Sequence, residues 1–177
     1  MNVVLSYAAW FAVALLAAQG DFGLAIVPSL VALVIHLGLT PEKQRRSEML
    51  VACAALLLGL GVETIHMAAG ATQYAEGASV AGLPPAFMIG LWAAFATLIN
   101  VSLAWMKDRI WLAVLFGALA SGPSYYAGSK IGALTLGEPV WQSLMTIGAV
   151  WALAFPMLVL FARWIDRDAQ LRSWKKS

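Results

Sequence analysis

Glu63 and His66 are ionisable, yet they lie three positions apart inside a hydrophobic run from about 49 to 69. That spacing puts both on one face of a helix. An ionisable group in a bilayer costs roughly 2.5–3.5 kcal/mol on insertion scales, so the pair calls for a reason. A carboxylate beside an imidazole is an acid–base couple, with Glu63 as the acid or base and His66 as its partner. Asp21, the Ser124-Tyr125-Tyr126 run, Lys130 and Glu138 fall at the same level of the neighbouring runs. Tyr125 or Lys130 is suited to holding an anionic group. The pattern predicts a polar pocket with Glu63 and His66 as catalytic candidates and Asp21, Tyr125, Tyr126, Lys130 and Glu138 as ligand-binding candidates. A purely structural use of the same residues stays open: Glu63 paired with Lys130, and His66 and Tyr125 as interfacial anchors.

Other chemistry is less well represented. His36 and Asn100, with Glu48 and Ser102 nearby, fall toward the opposite side, where one structural histidine and one interhelical amide hydrogen bond would account for them. Depth separates His36 from His66, and Glu-Thr-Ile-His is not the His-Glu-x-x-His pattern of zinc proteases, so neither a metal nor another cofactor is expected. Cys53, the single cysteine, sits in an apolar run and reads as packing. There is no Gly-x-Ser-x-Gly elbow, phosphate loop, CxxC pair or haem motif, which removes the enzyme classes that carry a signature. The chain reads more as a non-enzyme than as an enzyme. Trp10, Trp92, Trp105, Trp111, Trp141 and Trp164 fall mostly near span ends, as an aromatic belt.

The elements that must position these residues follow from composition. Of 177 residues 62% are hydrophobic and 11% charged, whereas a soluble domain carries about 25% charged residues. Apolar runs at about 3–18, 23–39, 49–69, 85–106, 110–133 and 139–162 are each near the roughly 20 residues that span a bilayer as helix. The expected fold is an all-α polytopic bundle of six transmembrane helices, one domain over residues 1–177 with a basic tail at 163–177. The first run lacks a basic n-region and reads as a retained span, not a secretory signal. Lys43, Arg45, Arg46, Lys107, Arg109 and five tail bases fall on one side against Lys130 on the other, which predicts cytoplasmic amino and carboxyl termini in a bacterial inner membrane. The net charge of +2 therefore describes topology and contact with anionic lipids, not nucleic acid. Ala113, Gly117 and Ser121, then Gly128 and Gly132, form small-residue faces for close helix approach, within the bundle or in a homo-oligomer. Gly122-Pro123 predicts a kink or interruption in the fifth span.

The run Leu91-Trp92-Ala93-Ala94-Phe95-Ala96-Thr97-Leu98, then Ser102-Leu103-Ala104-Trp105, then Gly117, Gly122-Pro123-Ser124-Tyr125-Tyr126-Ala127-Gly128 and Ile131-Gly132-Ala133 resembles a family of small bacterial inner-membrane proteins catalogued as a domain of unknown function, numbered 2878. Asn2 with Trp10, His36 and Glu48 are weaker echoes. Such proteins commonly carry an aspartate where Glu63 stands. The resemblance implies an integral membrane protein without an assigned activity, with fatty-acid modification genes nearby, and supplies no catalytic residue. It tilts the reading toward membrane lipids as partners, with the chain binding or handling a lipid in an outer-half polar pocket as an accessory to lipid or envelope metabolism. A lipid-directed membrane enzyme and a small-solute permease are the alternatives.

Overall fold

The computed structural model describes the backbone of residues 2–174 and the side chains of residues 2–169. Six helices carry the fold: α1 (Asn2–Ala18), α2 (Val27–Leu39), α3 (Glu42–Ala68), α4 (Ala86–Ala96), α5 (Ile110–Ile131) and α6 (Val140–Trp174). A 3-10 helix spans Ala104–Asp108, and β1 (Thr72–Gln73) pairs antiparallel with β2 (Thr135–Leu136). Three of the helices, α3, α5 and the α6 stretch Val140–Ala169, are long and apolar enough to cross a membrane. Large apolar side chains such as Val34, Leu57, Leu119, Leu153 and Met157 are exposed around the bundle, a surface that water would not favour and lipid would.

Proline sets the helix starts. Pro41 and Pro85 occupy the cap positions of α3 and α4, and Pro28 lies in the first turn of α2, where a missing N–H costs nothing. At the other end of α5, Gly132 takes φ +97°, and the N–H of Ala133 donates to the Gly128 carbonyl at 3.0 Å, which closes the helix with a left-handed glycine. The small-residue stripe of α5 does what its spacing implied. Ala113, Gly117 and Ser121 are buried, and a Cβ on Gly117 would lie 2.3 Å from the Trp151 carbonyl oxygen of α6, so the two backbones meet there.

The helices differ from the hydropathy runs in three places. Residues 85–106 are not one helix: α4 stops at Ala96, followed by turns and the 3-10 helix. Polar groups cause the break, because Thr97 Oγ1 donates to the Ala94 carbonyl and Asn100 turns toward Glu48. Irregular backbone at membrane depth is tolerated where protein buries it. Pro123 does not interrupt α5, which runs through it. The charged stretch from Glu42 belongs to α3, whose 27 residues extend about 40 Å. The tail is helical through Trp174; Lys175 and Lys176 and the Arg172 side chain lie outside the described residues. Cys53 is exposed on the bundle surface, not packed inside it.

Candidate functional site

Two polar clusters occupy the bundle interior, one toward each end of α3. Glu48 and Glu63, 15 positions apart, are separated by about 22 Å of helix rise. Between them α3 buries Val51, Ala52, Ala55 and Val62, so the clusters are divided by apolar packing.

In the second of these clusters Glu63 and His66 both have zero exposure. Trp92 of α4 donates its indole N–H to Glu63 Oε1 at 3.0 Å, and the Tyr125 hydroxyl of α5 donates to the same oxygen. The Tyr74 hydroxyl reaches Oε2 at 3.4 Å, and His66 Nδ1 lies 3.5 Å from Oε2. Both oxygens of the carboxylate are thus approached twice. Trp151 of α6 stacks on Trp92 with ring centroids 4.3 Å apart and donates to the Tyr125 oxygen at 3.4 Å. A glycine permits this: a Cβ on Gly59 would fall 2.4 Å from Trp92 Cγ, so only a bare α-carbon lets the indole cross α3 and reach Glu63. Burial, and secondarily the charge of Glu63, pushes the Tyr74 phenol well above its ordinary pKa, which keeps it a donor.

The imidazole of His66 is the exception in this cluster. Neither ring nitrogen makes a hydrogen bond, although the ring sits edge-on to Tyr125 with centroids 5.3 Å apart. Buried polar atoms in native structures are nearly always paired, so an unpaired one marks a place for a further partner or stored strain. Glu63 is thus occupied by aromatic donors, whereas the ring nitrogens of His66 make no hydrogen bond.

Of the five ligand-binding candidates only Tyr125 joins Glu63 and His66. Asp21 is exposed, and its carbonyl accepts from Leu24 and Ala25 in the α1–α2 connection. Glu138 is exposed and accepts from the Val140 N–H at 3.2 Å, capping α6. Tyr126 is 43% exposed, with Lys130 Nζ 5.0 Å above its ring. On α5 Tyr126 and Lys130 are four apart and share a face turned away from that of Tyr125. Lys130 therefore cannot be the partner of Glu63, and the open pocket expected from these residues is instead a closed knot of Glu63, His66 and aromatic donors.

The other cluster is more extensive than its sequence signal. His36 Nε2 lies 3.0 Å from Glu48 Oε2, and Asn100 Nδ2 donates to Glu48 Oε1 at 3.0 Å. Lys107 Nζ donates to Asn100 Oδ1 at 2.5 Å and to Asp166 Oδ2 at 2.6 Å. Asn2 Nδ2 meets both His36 Nδ1, at 3.2 Å, and the Thr97 carbonyl, at 3.1 Å. A cavity of about 480 Å³ adjoins the network, lined by Asn2, His36, Lys43, Glu48, Lys107 and Asp166 among others. The amino end of α1 and the 163–166 stretch of α6 thus lie at the same end of the bundle as Lys43 and Lys107.

The family described as "Protein of unknown function (DUF2878)" matches residues 1–157. The chain belongs to it. The matched region takes in both clusters except Asp166, which lies beyond it on α6. No curated protein and no solved structure matches the chain. The site around Glu63 contains three residues that the sequence pattern does not place there: Tyr74, Trp92 and Trp151. Trp92 had been read as belt, yet it is 3% exposed, while Trp105, Trp111, Trp141 and Trp164 are at least half exposed. The available signal was Gly59, four positions before Glu63 on α3, since a glycine one turn from a buried carboxylate makes room for a large donor.

Proposed function

We propose that this chain is a multi-pass protein of the bacterial inner membrane with all six helices in the bilayer and both termini cytoplasmic. In this reading it binds or handles a membrane lipid at the Glu63–His66 cluster, as an accessory to lipid or envelope metabolism. The observation that carries the proposal is the buried imidazole of His66, whose nitrogens make no hydrogen bond, set 3.5 Å from a carboxylate that already accepts from Trp92, Tyr125 and Tyr74. An imidazole nitrogen held this way is a bonding position for an incoming polar group, and a hydroxyl- or amine-bearing head group would supply one. Because the cluster is sealed, entry requires the 70–85 connection to lift. That segment carries Tyr74 and is tied down by the two-residue ladder to β2.

An acid–base enzyme acting on a lipid is the second reading, favoured by the same oriented Glu63–His66–Tyr125 set. The permease reading has less behind it, because the apolar stretch of α3 between the clusters offers no polar route.

Native mass spectrometry of the full-length protein, with identification of co-extracted lipid, tests the proposal by comparing wild type with His66→Leu, Glu63→Gln and Tyr125→Phe. The expected result is one lipid class retained by wild type and lost in His66→Leu. Equal lipid profiles for wild type and all three variants would overturn it. Enzymatic action is distinguished by His66→Leu retaining its bound lipid while the lipid's covalent change ceases.

A further inference from the structure

At the other end of α3 the hydrogen-bond directions are fixed by the chemistry of the groups. The Thr97 carbonyl can only accept, so the Asn2 atom facing it is the NH2 group. A second N–H on that nitrogen faces His36 Nδ1, which must then carry a lone pair. The ring proton accordingly sits on Nε2 and is donated to Glu48 Oε2. From the far side Lys107 donates to Asn100 and Asn100 donates to Glu48, so the carboxylate accepts from both directions. Every partner in the chain is matched only while His36 is neutral.

We propose that His36 is a proton-binding latch: uptake of one proton at Nδ1 from the adjoining cavity costs Asn2 one of its two bonds, so that it no longer ties the amino end of α1 to both α2 and the turn after α4. The bond formed is Nδ1–H, and what breaks is the Asn2-to-His36 hydrogen bond. An imidazolium carries N–H on both nitrogens, which places Nδ1–H against the Asn2 N–H, donor against donor. Rotating the amide would turn Oδ1 toward His36, but would also turn it toward the Thr97 carbonyl. Either way Asn2 keeps only one of its two bonds and ceases to bridge.

The surroundings bear on the proton from every side. Glu48 of α3 faces Nε2. Lys107 stands one amide away through Asn100 and is itself paired with Asp166 of α6. Lys43 lines the cavity, and Arg45 donates to the Thr40 and Leu37 carbonyls at the end of α2. The Thr40 hydroxyl is committed to the His36 carbonyl and leaves the ring alone. His36 is 4% exposed, so the cavity is its route to solvent. The inference is independent of what Glu63 and His66 bind.

The test is hydrogen exchange by mass spectrometry on the full-length protein in lipid nanodiscs, corrected for intrinsic rates, at about pH 8 and about pH 5. Peptides from the first two turns of α1 are expected to exchange roughly five- to tenfold faster at the acid pH, the effect of losing one hydrogen bond. His36→Gln, which cannot take up the proton, should remove the pH response. Asn2→Ala should give the faster exchange at both pH values. Equal protection of wild-type α1 at both pH values, or an unchanged pH response in His36→Gln or Asn2→Ala, would overturn the latch.

Discussion

The two polar clusters of α3 use the same pair of residue types in opposite ways. At Glu48 the histidine is fully engaged, the carboxylate is shared between His36 and Asn100, and the network touches a solvent-sized cavity. At Glu63 the carboxylate is engaged by Trp92, Tyr125 and Tyr74, the histidine has no hydrogen bond, and no part of the pair is exposed. A satisfied network contributes to holding helices together, whereas a buried unsatisfied group carries its desolvation cost uncompensated and leaves a bonding direction unused. Residue type and spacing alone would rank Glu63 and His66 as a matched couple. Partner geometry separates them, with a carboxylate held by three aromatic donors and an imidazole that makes no hydrogen bond.

Breaking the comparison at its strong end should have the largest effect. Glu48→Ala removes the acceptor for both His36 and Asn100 and leaves Lys107 with less compensation, and loss of one member of a buried ionic network costs about 3–5 kcal/mol. Thermal unfolding in detergent should show this as a large fall in Tm. Gly59→Ala comes next. It forces Trp92 off Glu63, and overpacking of this kind costs about 1–3 kcal/mol; the quenching or shift of tryptophan fluorescence should change with it. His66→Leu should have the smallest effect on stability, within about 1 kcal/mol of wild type, because no hydrogen bond is lost and an apolar group of similar volume replaces it. A fall in Tm for His66→Leu as large as that for Glu48→Ala would erase the distinction between the clusters.

Much of the helical layout was legible because lipid-facing helices must be apolar and about the right length, and that constraint writes itself into hydropathy. The α5 stripe of Ala113, Gly117 and Ser121 was legible for a related reason, since backbone contact demands small side chains at fixed spacing. The break after Ala96 was not, because the residues from 97 to 106 are as apolar as a continuous helix requires and the cause lies in partners distant in sequence, Glu48 above all. Glu63 and His66 could be picked out by their burial cost, but their neighbours could not. Tyr74 arrives through a connection closed by the Thr72–Gln73 and Thr135–Leu136 ladder, a pairing of two-residue strands too short to leave a periodic pattern. Lys130 misled for the converse reason: it lies at the right depth on the wrong side of its helix.

The early end of α4 also bears on how the chain is built. The stretch from 85 to 106 is apolar enough to enter a bilayer as a helix of full length, yet its finished form keeps helix only to Ala96. One partner that anchors the irregular part through Lys107 is Asp166 on α6, 59 residues further along the chain. The segment is therefore expected to hold its shortened form only with both Glu48 of α3 and Asp166 of α6 in place, so that helices on either side of it in the chain complete the shape of the fourth.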